Sequence, residues 1–292
     1  MNIVQIHSGL GNQMFQYAFY VGLKHYCPNT KIDTSIFAHR PSHNGYELER
    51  IFTIQPSYAT ITERNELADV GKDWFSVFRH AIGWKRKTHG TIVKEPDPAA
   101  GWCPQLLTVE NCYLQGYWQT EKYFAHVSDL IRKDFSFRIP LSETDDKIAK
   151  DIVSHNSVSV HIRRGDYLKD RRRADYEVCT ITYYRRAIAY IMEHVKNPVF
   201  YVFSDEPEWG KQIGIFPEGT VFISGHNGNQ SYIDMQLMSL CKHHIIANSS
   251  FSWWGAWLGR YEQTIVVAPK IWFRYRERPD IIPQNWIKID AE

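Results

Sequence analysis

The stretch VSVHIRRGDY, Val158 to Tyr167, places His161, Arg163, Arg164 and Asp166 together where an apolar run ends. Arginine carries a planar fork of N–H donors that stays charged at any ordinary pH, and this fork matches the paired oxygens of a diphosphate. In an extended strand side chains alternate, so Val158, Val160 and Ile162 face one way and Ser159, His161 and Arg163 the other. Arg163 therefore leaves the strand on the polar side, beside His161. Gly165 breaks the strand and frees Arg164 to swing outward, and Asp166 stands where it could orient one guanidinium. The plainer reading of the same residues is a local salt-bridge network at a loop.

The elements around this stretch favour a binding role. From about Asp145 a polar helix (DDKIAKDIVSH) gives way to VSVHI, then to a helix around Thr182 to Val195 and a strand, PVFYVFSDE. HHIIANSS runs into FSWWGAWLG, and TIVVAP follows. Strand, helix, strand in succession means a parallel α/β unit. Three polar clusters, HIRRGDY, SDEPEW and NSSFSWW, fall just beyond strand ends, where open parallel sheets bind ligands.

The first half opens with NIVQIH, the glycine loop SGLGNQ and an apolar helical run from Met14 to His25. Gly9 and Gly11 allow a tight turn, and the helix offers its first amides to an anion or a sugar oxygen. Met14 stands where a dinucleotide fingerprint would have its third glycine, and no Gly-Lys-Ser/Thr ending marks a phosphate loop. Further on come helix-like pieces near Thr62 to Asp69 and proline-bearing loops around Glu95 to Pro104. LQGYWQTEKYF reads as a strand end and turn leading into a helix with core aromatics.

A chain of 292 residues fits two lobes, divided here as 1–150 and 151–292. A formal net charge of +2 and the lack of a nucleic-acid motif set aside nucleic-acid binding, even though RRGDYLKDRRR is locally basic. The five cysteines show neither a C-x-x-C pair nor zinc spacing, and reduced thiols in a cytoplasmic protein fit. The start has neither a basic n-region nor a long apolar run, and neither signal peptide nor anchor is expected. Aromatic residues make up 14%, which suits sugar faces and ordinary packing alike.

Taken in order, HSGLGNQMFQYA, GYWQTEKYF, HIRRGDY, FSDEPEW and NSSFSWWGAWL resemble the α-1,2-fucosyltransferases of glycosyltransferase family 11 over most of the chain. The resemblance implies an α/β, GT-B-like architecture: two Rossmann-like lobes with the active site in the cleft between them, the first lobe on the acceptor side and the second holding the GDP-sugar. It implies inverting transfer of L-fucose from GDP-fucose to the 2-hydroxyl of a terminal galactose in a glycan, with no cofactor and no metal. Arg163 would take the β-phosphate, Arg164 assist, and His161 shape the strand end. Asn12, beside Gly11, would reach donor or acceptor across the cleft. Ser204, Asp205 and Glu206 would meet guanine or ribose, and Ser249, Ser250 and Phe251 the phosphate and base, although both clusters also suit helix caps. Arg163, Asn12 and Asp166 are the catalytic candidates. The base could be His7, Asp166, Asp175, Glu177 or Glu206, and no spacing singles one out.

Another GDP-sugar or linkage on the same fold, or a carbohydrate-binding protein without turnover, remain as other readings. A lipid-linked acceptor of O-antigen or capsule type would bring the enzyme to the inner membrane surface. There Trp84, Lys85, Arg86, Lys87 or the run Arg171 to Arg173 could touch anionic lipid. Loops around Pro41 to Tyr46 and Trp84 to Cys103 are the expected acceptor contacts.

Overall fold

The computed structural model describes residues 1–39, 43–70, 74–84, 88–164, 175 and 179–290. It separates into two compact units, Met1–Arg138 and Ile139–Glu292. The division falls after Arg138 and not at 150, because the polar helix that opens the second half packs on the second sheet. Among the described residues no helix is long and apolar enough to cross a membrane.

The first unit is built on four parallel strands, β1 (Asn2–Gln5), β2 (Thr30–Asp33), β3 (Thr91–Lys94) and β4 (Cys112–Gln115), in the order β2-β1-β4-β3. Its helices are α1 (Leu10–Tyr26), α2 (Ile36–His39), α3 (Leu48–Ile51), α4 (Ile61–Ala68), α5 (Trp74–Ala81) and α6 (Ser128–Asp134). In α1 residues Met14 to Leu23 are all buried, which explains why its sequence is apolar on every side. Lys24 and His25 occupy its last turn, where cations suit the helix dipole. Phe19 of α1 stacks on Trp118 with ring centroids 4.3 Å apart. LQGYWQTEKYF continues from β4 into short 3-10 turns, Glu121–Tyr123 and Ala125–Val127, and not into the expected longer helix.

The second unit holds six parallel strands: β5 (Asn156–Ile162), β6 (Pro198–Ser204), β7 (Val221–Ile223), β8 (His243–Ile245), β9 (Val266–Pro269) and β10 (Ile287–Ile289). Helices α7 (Glu143–Ser154), α8 (Ile181–His194), α9 (Pro207–Gln212), α10 (Tyr232–Leu240) and α11 (Ser250–Trp257) lie among its described residues. The order β10-β9-β8-β5-β6-β7 starts in the middle, runs outward to β7, and returns to the other side of β5. This is the doubly wound Rossmann order, and its switch point lies between β5 and β8. The expected alternation along β5 holds. Val158, Val160 and Ile162 join Tyr183, Tyr184, Ala187 and Ile191 of α8 in one apolar core. On the opposite parity, Ser159 Oγ meets His244 Nδ1 at 2.8 Å, and the His161 ring lies 5.8 Å from that of Phe251.

Gly22 of α1 passes so close to the chain at Tyr123 that a methyl group there would lie inside the radius of the Tyr123 carbonyl oxygen. Alanine improves helix propensity by about 1 kcal/mol, but overpacking against rigid backbone costs roughly 1–3 kcal/mol. Gly22→Ala is therefore expected to lower the thermal midpoint; a midpoint raised in a circular-dichroism melt would contradict this packing.

Candidate active site

Each unit gathers its polar residues beyond the C-terminal edge of its own sheet. In the second, Ile162 pairs in register with Ser204, so the next residues on β5 and β6, Arg163 and Asp205, come out side by side. Arg163 Nη1 lies 3.3 Å from Asp205 Oδ2, and the backbone N–H of Arg164 donates to Asp205 Oδ1 at 3.0 Å. One carboxylate thus holds a guanidinium and the next residue's backbone. The guanidinium of Arg164 turns elsewhere: its Nε is 3.4 Å from Glu206 Oε2, and its central carbon sits 3.9 Å from the ring centroid of Trp209. The two arginines differ in their partners. Arg164 meets a carboxylate and an indole, Arg163 is held by Asp205 at the strand end, and both remain partly exposed.

Ser204 accepts a hydrogen bond from the Glu206 N–H at 2.9 Å, which shapes the turn into α9. Ser249 caps α11 by accepting from the Phe251 N–H at 3.3 Å. Ser249 therefore fills the capping role that the sequence also allowed, Ser204 closes a turn ahead of α9 without capping it, and Ser250 and Phe251 stay half-buried at the start of α11. His161 is buried, and its Nδ1 has no hydrogen-bond partner. Burial, and next the charge of Arg163, push its pKa down to about 3, so the ring is neutral.

Of the base candidates, Asp166 and Glu177 lie outside the described residues, as do Pro41, Lys85 to Lys87 and Arg171 to Arg173. The orienting carboxylate that the structure pairs with Arg163 is Asp205, from the neighbouring strand. Asp175 accepts from Tyr275 N–H at 3.0 Å and from Arg276 Nε at 2.6 Å, so it holds the 274–276 segment. Glu206 is engaged with Arg164.

The cluster of the first unit is largely uncharged. Asn12 donates to Ser8 Oγ at 3.1 Å and accepts from Gln119 Nε2 at 2.8 Å, which fixes its amide from both sides. The left-handed backbone of this loop belongs to Ser8, at φ 72°, and not to Gly9. Gly9, at φ −79°, is small because the His43 ring lies against it. Gly11 is buried in the first turn of α1. His7 packs edge-on to Tyr117, with centroids 4.9 Å apart, and burial lowers its pKa. The turn bearing Tyr117 is fastened by Glu95, whose carboxylate accepts from the N–H groups of Tyr117 at 2.8 Å and Trp118 at 3.1 Å. Trp209 and Gln119 were not among the sequence candidates, and Glu95 was covered only as part of the Trp84 to Cys103 loop. Trp209 and Gln119 both stand inside motifs already quoted, FSDEPEW and GYWQTEKYF, and their position there was the available signal.

Among solved structures the chain is similar to NodZ α-1,6-fucosyltransferase soaked with GDP-fucose, with TM-score 0.52, 14% identity and coverage of 88% of this chain and 91% of that one. It is also similar to POFUT1 in complex with GDP-fucose, with TM-score 0.50, 11% identity and coverage of 91% and 97%. At such identities the likeness concerns the fold. Two parallel α/β units, the second of Rossmann order, make a GT-B-like architecture. The model of glycosyltransferase family 11 matches residues 103–290, and the chain belongs to that family. It is 33% identical over 303 residues to an α-1,2-colitosyltransferase of Escherichia coli, covering 99% of this chain and 98% of that one. To the O-antigen biosynthesis glycosyltransferase WbnK of Escherichia coli it is 30% identical over 311 residues, covering 97% and 99%.

Two outcomes follow from this geometry. Asp205→Asn keeps an acceptor for the Arg164 N–H but removes the charge that holds Arg163, and misplacing a positioning group costs about 10²-fold. We expect kcat to fall by that order; steady-state kinetics with unchanged kcat would contradict a positioning role for Asp205.

The second outcome concerns pH. His244, like His161, is buried and neutral with a pKa pushed down to about 3, by burial first and then by His243. Its unfolded value is about 6.5, so as pH falls from 7.5 to 5 only the unfolded chain takes up the proton, and about 2 kcal/mol of stability is lost at this site. His226 acts with the opposite sign, because its hydrogen bond to Asp234 leads the causes that raise its pKa. The comparison must therefore be with a variant: His244→Asn should flatten the fall in urea midpoint between pH 7.5 and 5 relative to the parent, and parallel pH profiles would refute it.

Proposed function

We propose that the protein transfers L-fucose from GDP-fucose to the 2-hydroxyl of a terminal galactose in an oligosaccharide or lipid-linked glycan, with inversion and without a metal. The observation that carries this reading is Arg163, held by Asp205 at the end of β5 and next to the switch point of a Rossmann unit. The names of relatives support the linkage and the sugar. One is an α-1,2-colitosyltransferase and another acts in O-antigen biosynthesis. A galactoside α-(1,2)-fucosyltransferase 1 of Saimiri sciureus is 29% identical over 154 residues, covering 50% of this chain and 42% of that one.

In this mechanism the acceptor hydroxyl oxygen forms a bond to the anomeric carbon as the bond from that carbon to the β-phosphate oxygen breaks, and GDP leaves with both electrons. The departing diphosphate gathers negative charge. A fixed guanidinium aimed at it stabilises the transition state in the way a metal ion would, and needs no reorganisation when the charge develops. Arg163 has that role and Asp205 sets its direction. Arg164, stacked on Trp209, shapes the wall beside it. His161 is neutral and does not compete for the phosphate as a cation. Asn12 offers a preoriented amide to a sugar hydroxyl. The acceptor proton passes to a base or to the leaving phosphate.

A second donor is favoured by the colitosyltransferase relative. Colitose is L-fucose without the 3-hydroxyl. A site built to bond that hydroxyl would reject the deoxy sugar strongly, whereas an apolar surface at the same place would discriminate weakly. The test is GDP release in the presence of EDTA from GDP-fucose and from GDP-colitose, each with galactose-terminated acceptors and with none. Acceptor-dependent release from GDP-fucose, lowered by roughly 10²–10³-fold in Arg163→Ala, is expected. Release only from GDP-colitose would reassign the donor, and near-normal turnover of Arg163→Ala would overturn the mechanism.

A further inference from the structure

Helix α5 of the first unit exposes an apolar face. Soluble helices ordinarily bury their apolar stripe and expose their polar one. Among the described side chains of α5, Ser76, at 1% exposure, and Arg79, at 2%, are buried, while Trp74 is exposed at 80%, Phe78 at 57% and Val77 at 54%. Trp74, Val77, Phe78 and Ala81 follow the spacing i, i+3, i+4, i+7 and so share one face of the helix.

The polar side is what fastens α5 to the unit. Arg79 makes a bidentate pair with Asp69, at the end of α4, with Nη1 2.9 Å from Oδ2. The same Nη1 donates to the Trp84 carbonyl at 2.8 Å. The helix then ends in a Schellman turn: Gly83 N–H donates to His80 O at 3.0 Å and Trp84 N–H to Arg79 O at 2.9 Å, with Gly83 at φ 75°. That turn holds Ile82 and Trp84, both more than half exposed, at the C-terminal end of the same helix.

Charge decides what such a face fits. From Trp74 to Lys94 the sequence contains five Lys and Arg, together with His80 and His89, and no Asp or Glu. Arg79 is neutralised by Asp69, and the remaining cations are Lys85, Arg86, Lys87 and Lys94. A short apolar face rich in tryptophan and phenylalanine, followed by a purely basic run, suits the interface of a bilayer with anionic headgroups: rings enter the headgroup boundary and cations stay at the surface. A second copy of the chain would bring an equal basic run against this one.

We propose that the exposed face of α5, formed by Trp74, Val77 and Phe78 and extended by Ile82 and Trp84, docks the protein on an anionic lipid surface. This goes beyond the assignment of donor and acceptor, and its test does not require that assignment to hold. The full chain would be floated with vesicles of phosphatidylcholine containing phosphatidylglycerol, and with vesicles of phosphatidylcholine alone, at low and at raised salt. The expected result is salt-sensitive binding to the anionic vesicles. Partitioning should fall about a hundredfold in the triple variant Lys85→Gln, Arg86→Gln, Lys87→Gln, at about fivefold for each charge.

The double variant Trp74→Ser, Phe78→Ser should lose binding while keeping the thermal midpoint and the GDP-release activity toward a water-soluble acceptor. Failure of the parent chain to bind anionic vesicles at low salt would overturn the proposal, as would undiminished binding of the double variant. So would a dimer in sedimentation that the double variant converts to monomer without any vesicle binding, because the face would then belong to a second copy. Should the double variant lose its thermal midpoint, the charge variant alone decides.

Discussion

The chemistry of the second unit depends on one carboxylate crossing from strand to strand. Asp205 follows β6 and reaches the residues that follow β5, touching the Arg163 guanidinium with one oxygen and the Arg164 backbone with the other. A parallel sheet makes this possible, because in-register neighbours leave the same edge together. Isolated, Arg163 would be a long, rotatable cation at a loop. Tied to Asp205 it becomes a fixed donor, and Arg164 is pulled into a separate seat between Glu206 and Trp209. Two adjacent arginines are thereby given different tasks by their partners and not by their own chemistry.

Much of this was legible beforehand, for identifiable reasons. The parity of VSVHI follows from the geometry of any strand, and it correctly divided the residues that pack on α8 from those that meet His244 and Phe251. The three clusters beyond strand ends were legible because turns interrupt apolar runs. The pairing of Arg163 with Asp205 was not, since strand order cannot be read along the chain, and Asp166 lies outside the described residues. The unit boundary was placed late because α7 has a polar, lobe-neutral composition, and only its packing on the second sheet assigns it. Ser249 shows the opposite case, in which a capping role open from sequence is the one the local geometry fills.

The first unit is harder to read for a physical reason. Its polar cluster is joined by single hydrogen bonds between residues far apart in sequence, such as Asn12 with Gln119 and Glu95 with the amides of Tyr117 and Trp118, and no periodicity announces such pairs. Helix α5 was equally silent. Its apolar positions have ordinary helical spacing, and only their exposure, with Ser76 and Arg79 facing inward, separates it from a core helix.

The Asn12 clamp has a consequence for where the free-energy cost of order falls. Its amide is held by Ser8 and Gln119, and the loop beneath it keeps a left-handed backbone at a residue that has a Cβ. Both features are unfavourable for a free chain, through lost rotamers and local strain. They are met once, when the first unit folds around the long buried helix α1, and are not repeated with each substrate that arrives. The Asn12 amide is thus ordered before any ligand arrives, and the stability of the core becomes the reservoir from which that order is drawn.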